Sequence, residues 1–74
     1  MKINAIYQAI ITTNVYVEDE NGELFRWDVN APAAPLVKTP YVARENLREI
    51  DDCILKGYKM CLRAAGHELR VVLK

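Results

Sequence analysis

Cys53, Cys61 and His67 are the side chains best suited to nucleophilic or metal chemistry, and the carboxylates Glu45, Glu49, Asp51 and Asp52 are those best suited to proton transfer. A zinc site needs four donors at recognisable spacings, whereas Cys-x7-Cys-x5-His supplies three groups in no usual pattern. A thiol nucleophile needs an activating neighbour, and His67 lies well beyond Cys61 along the chain. Asp51 and Asp52 are adjacent, and Glu45 and Glu49 are one helical turn apart, which suits general acid and base work. They lie among Arg44, Arg48 and Lys56, however, where charge pairs three and four residues apart stabilise a solvated helix. Asn21-Gly22 makes no phosphate loop, since the glycine is single and no helix follows. No catalytic residue, metal ligand or cofactor is therefore expected.

These groups are carried by the stretch 40–65, which reads as one long amphipathic helix. At 100° per residue, Ala43, Leu47, Ile50, Ile54, Gly57, Tyr58, Cys61 and Ala65 fall on one side. Arg44, Glu45, Arg48, Glu49, Asp52, Lys56, Lys59 and Arg63 fall on the other. Thr39 suits the N-cap, Pro40 the first helical position, and Gly66 the left-handed residue after the helix end. Gly57 sits in the apolar stripe, where it would admit another backbone. A competing reading breaks the helix there and makes 58–63 a strand. Unbroken, the helix would be ~39 Å long and overhang its domain. Leu55, Met60 and Leu62 border its polar face and are expected to stay exposed. The two cysteines, ~12 Å apart along the axis, should be reduced thiols packed in or beside the core.

Before the helix, 6–17 is rich in Ile, Tyr, Thr and Val and reads as a strand. Both its faces are partly apolar, which predicts a central position in a sheet, with a bend or bulge near Thr12, Thr13 and Asn14. Residues 15–29 read as a β-hairpin around Asp19-Glu20-Asn21-Gly22, a type I turn closed by a left-handed glycine. That loop sets Val17 opposite Phe25 and Val15 opposite Trp27, and puts Tyr16, Arg26, Glu18 and Leu24 on the other face. The Pro/Ala segment 31–38 reads as an extended connector, and 68–73 as a strand that rejoins the sheet. The expectation is one α+β domain over 1–74, ββαβ, with an antiparallel sheet of about three strands and one long helix on one face.

Seventy-four residues, 51% of them hydrophobic and 27% charged, suit a soluble globular domain with a thin stability margin. Nothing approaches the ~20 apolar residues of a membrane span, and no signal peptide opens the chain, so the cytoplasm is the expected compartment. Formal net charge is zero, which removes the bulk attraction that non-specific nucleic-acid binders use. The charge is unevenly placed: hairpin residues Glu18, Asp19, Glu20, Glu23 and Asp28 face only Arg26. A protein-binding module is the function expected. Its partner-binding residues would be Glu18, Asp19, Glu20 and Glu23 on the hairpin and Leu55, Lys59, Leu62 and Arg63 on the helix. The partner would be a basic protein surface of a host complex or a second copy of the chain. A nucleic-acid-contacting regulator using Arg48, Lys59 and Arg63 is the alternative. In scale and in lacking a catalytic motif, the chain resembles small accessory proteins of phages and mobile elements, including inhibitors of CRISPR and restriction systems. That resemblance rests on no residue pattern and implies occlusion of a host complex.

Overall fold

The hairpin forms with the register its turn chemistry requires. In the computed structural model, which describes residues 1–39 and 42–70, strand β2 (Val15–Asp19) pairs antiparallel with β3 (Leu24–Trp27), Val15 opposite Trp27 and Val17 opposite Phe25. Gly22 takes φ +80°, its N–H donates to the Asp19 carbonyl, and the Asp19 N–H donates to the Glu23 carbonyl. Only a residue tolerant of the left-handed region fits there.

Strand β1 (Lys2–Ala9) lies beside β2, antiparallel. The expected bend near Thr12 is instead a full reversal, closed by the Ala9 N–H donating to the Asn14 carbonyl. The two strands expected as one continuous run are thus neighbours. An irregularity between Ile3 and Ala5 shifts the register by one residue, a β-bulge that lets Ile3 and Ile6 both reach the core despite their spacing of three. β1 is central, as its two apolar faces predict.

The sheet is larger than the three strands expected. β4 (Val37–Lys38) pairs with β3, so the connector ends in an edge strand. Residues 28–34 before it fold into turns, with Ala31 and Ala34 N–H groups donating to the Asp28 and Ala31 carbonyls, where an extended run was expected. A 3₁₀ turn (Arg44–Asn46) leads into β5 (Leu47–Glu49), antiparallel to β1. β6 (Glu68–Leu69) runs parallel to the start of β1. The order is β4-β3-β2-β1-β5, with β6 also on β1. The α+β class stands, with six strands and one α-helix among the described residues.

The long helix is corrected at its first half. Helix α1 covers Asp52–Ala64, 13 residues, ~20 Å of axis, and the molecule measures 28 × 25 × 24 Å. No end overhangs. Thr39 is not its N-cap; its N–H donates to the Leu24 carbonyl. Pro40, also expected in the helix start, lies outside the described residues, as do Val71, Val72 and Leu73 of the expected last strand. Leu47, Arg48 and Glu49 leave the helical pattern because β1 offers them backbone partners. The break then falls at Asp51, a favoured N-cap type, with Asp52 in the first turn where the helix dipole welcomes an acid.

The helix end follows the sequence. Gly66 takes φ +96°, its N–H donates to the Arg63 carbonyl, and the His67 N–H donates to the Leu62 carbonyl, the paired bonds of a Schellman motif. The strand alternative for 58–63 falls with this.

The buried stripe is rotated from the expected one. Leu55 and Leu62 are 7% and 0% exposed, with Tyr58 between them against Trp27, ring centroids 5.1 Å apart and edge to face. They close the core formed by Ile3, Ile6, Val15, Val17 and Trp27 on one face of the sheet. Ile54, Gly57 and Cys61, expected inside, are exposed.

Candidate binding surfaces

The acidic hairpin tip is largely consumed by its own fold. Asp19 Oδ1 accepts from the Asn21 and Glu23 backbone N–H groups, both at 2.9 Å, so this carboxylate holds the turn. Glu18 is ion-paired with Arg44, and Glu23 with Lys38 at 3.4 Å. The Arg44 guanidinium also donates to the Gly22 carbonyl at 3.3 Å. Its pKa is raised, chiefly by the hydrogen bond to Glu18. Glu20 is exposed, and among the described residues it alone of the four has no ion pair or side-chain hydrogen bond.

On the helix flank, Leu55 and Leu62 are buried in the core where exposure was expected, because the stripe is rotated toward the sheet. Lys59 is half-buried and already partnered, and Arg63 is exposed. The basic helix face is dispersed too, since Arg44 lies in the 3₁₀ turn and Arg48 in β5. Both thiols are free and exposed rather than packed. Among the described residues no group of three or more His, Cys, Asp or Glu could hold a metal, and no helix is long and apolar enough to cross a membrane. His67 is held below the ordinary imidazole range by burial and then by the positive Met1 amino group.

The surface that sequence reasoning passed over is the sheet face opposite α1. Strand alternation and register place Tyr7 and Ala9, Tyr16 and Glu18, Leu24 and Arg26, Val37, and Leu47 and Glu49 there. An antiparallel sheet with one solvated face ordinarily alternates apolar inside and polar outside; this face is largely apolar and aromatic. Its partial cover is the segment around Arg44, whose guanidinium stands 5.9 Å from the Tyr7 ring centre. Beside that segment lie two depressions. One, of about 320 Å³, is lined by Ala9, Ile11, Tyr16, Val42 and Leu47 among others. The other, of about 250 Å³, is lined by Tyr16, Arg26, Val37 and Lys38 among others. Ile11 and Val37 are 81% and 54% exposed. The signal was present in the sequence, in the two apolar faces of β1 and in the hairpin register.

No family model, curated protein or solved structure matches the chain.

Proposed function

We propose that the protein is a small, non-enzymatic protein-binding module whose contact surface is the helix-free face of the sheet. The observation carrying this reading is the run of Tyr16, Val37, Leu47 and Ile11 on a face that no helix covers. Leaving such a patch in water forgoes about 25 cal/mol for each Å² of apolar surface, which a docked partner recovers. The acidic tip and the helix flank are weaker supports, since internal ion pairs and burial occupy most of their residues. The setting proposed, on scale alone, is an accessory protein of a phage or mobile element that occludes a host complex from within the cytoplasm.

A photo-crosslinking residue placed at Tyr16, Glu20 or Ala34 tests this in a lysate of the native cells. The reading predicts a discrete protein adduct from position 16 and none from 34. Adducts from position 20 alone would restore the hairpin as the contact surface, and adducts from none would remove the binding module.

A further inference from the structure

We infer that the solvent side of α1 docks one amphipathic helix of a partner protein, whose carboxylates meet Lys56 and Arg63. This contact lies on the other side of the molecule from the helix-free sheet face and does not depend on it. Leu55, Tyr58 and Leu62 turn toward the sheet. At 100° per residue the opposite side of the helix carries Cys53, Gly57, Met60 and Ala64, all exposed. A surface helix ordinarily turns its charges to solvent there. These four positions hold none, and Met60 is 70% exposed. The spacing is that of a coiled-coil seam: the four follow one another by four, three and four residues, the d-a-d-a order of nearly two heptads. Lys56 and Arg63 then take the g positions, Ile54 and Cys61 the e positions, while Asp52 and Lys59 at c point away from the seam. A Cβ added at Gly57 would meet nothing within 4 Å. The small seam residues thus leave a shallow groove along α1 that a facing helix fills with large aliphatic side chains.

Charge selects the occupant. Lys56 and Arg63 are exposed, and neither has a hydrogen bond or ion pair to any described residue. They stand seven residues apart on one flank of the seam, so carboxylates seven residues apart on the facing helix complement both. A second copy does not. Antiparallel pairing sets g against g and brings these cations together, and parallel pairing sets them against the uncharged Ile54 and Cys61. A bilayer surface fits poorly as well, because an interfacial helix inserts bulky apolar side chains, and of the six seam and e residues only Ile54 and Met60 are bulky. One helix of this length covers less than the ~1,600 Å² of a standard interface, so the contact is weak and reversible.

Fluorescence anisotropy of the intact protein with two synthetic peptides of three heptads tests this. Both carry Leu at a and d; one carries Glu and the other Lys at e and g. The Glu peptide should bind about tenfold more tightly than the Lys peptide. Lys56→Glu with Arg63→Glu should reverse that preference, and Met60→Asp should weaken the Glu peptide about tenfold. All three positions are exposed, so the variants keep the fold, which far-ultraviolet circular dichroism checks. Ile11→Asp, on the sheet face, should leave the peptide affinity unchanged, which separates this contact from the one proposed above. Absence of Glu-peptide binding at about 1 mM, equal affinity for the two peptides, or indifference to Met60→Asp overturns the inference and leaves the sheet face untouched. Peptide binding lost in Ile11→Asp places the peptide on the sheet face and overturns it too. Dimerisation of the protein alone, or its co-sedimentation with phosphatidylserine vesicles, assigns the seam to a second copy or to a membrane if lost in Met60→Asp, and either overturns the partner helix.

Discussion

Arg44 and Glu18 form an ion pair that bridges the 3₁₀ turn before β5 and the first strand of the hairpin. The pair holds segment 42–46 against the sheet face opposite the helix and withdraws one acid from the hairpin tip. Its guanidinium is about half exposed, so its net contribution to stability should be modest, within about 1 kcal/mol. Arg44→Ala should therefore leave global stability nearly unchanged while speeding amide exchange at Asn46, whose N–H donates to the Ala43 carbonyl. Hydrogen exchange read by NMR checks this; equal exchange in both proteins would deny the tether.

Leu62 is fully buried beneath the sheet, and removing a buried leucine side chain costs about 2–5 kcal/mol. For a chain of this length that is a large part of the stability. Leu62→Ala should lower the urea midpoint severely or unfold the protein. A variant with wild-type stability would mean that Leu62 faces outward after all.

Gly57 lies within α1 with open space where a Cβ would stand. Gly57→Ala should stabilise the protein by about 0.5–1 kcal/mol, because alanine loses less backbone freedom on folding. Thermal denaturation would show a raised Tm. A lowered one would indicate that another backbone approaches this face, as sequence periodicity alone suggests.

His67 binds its proton less readily in the folded protein than its ordinary value of 6.5, first through burial and second through the Met1 amino group. The unfolded chain therefore takes up the proton first as pH falls. The stability contributed by neutral His67 is complete above the unfolded value and is lost as pH drops from there through the folded one. His67→Gln should remove this part of the fall in urea midpoint as pH drops below the ordinary imidazole value of 6.5. Parallel pH curves for the two proteins would contradict the assignment.

The hairpin was legible because its information is local: Asp19 holds the turn through its carboxylate and Gly22 accepts the positive φ, so the register of Val15 to Trp27 follows. The Gly66 stop was legible for the same reason. The 40–51 stretch was not, because Leu47, Arg48 and Glu49 find their partners on β1, remote in sequence, and that pairing overrides an in-phase helical pattern. The helix starts after Asp51, whose carbonyl accepts from the Leu55 N–H while its side chain makes no cap hydrogen bond. The helix face was ambiguous because Cys61, Ile54, Tyr58, Leu62 and Leu55 spread over about 120° of the circumference, and contact with Trp27 and the sheet selects the Leu55–Leu62 edge of that arc. The second face escaped notice because its apolar side chains come from five strands that adjoin only after folding.

The direct comparison is the affinity of two variants for the protein crosslinked at position 16. Ile11→Asp alters the helix-free face. Glu20→Lys with Glu23→Lys cancels the hairpin's net negative charge without touching the turn carboxylate of Asp19 or the Arg44 partner Glu18. Isothermal titration calorimetry should show a loss of about tenfold or more for the first and less than about twofold for the second. The reverse order would place the contact on the hairpin and contradict the account.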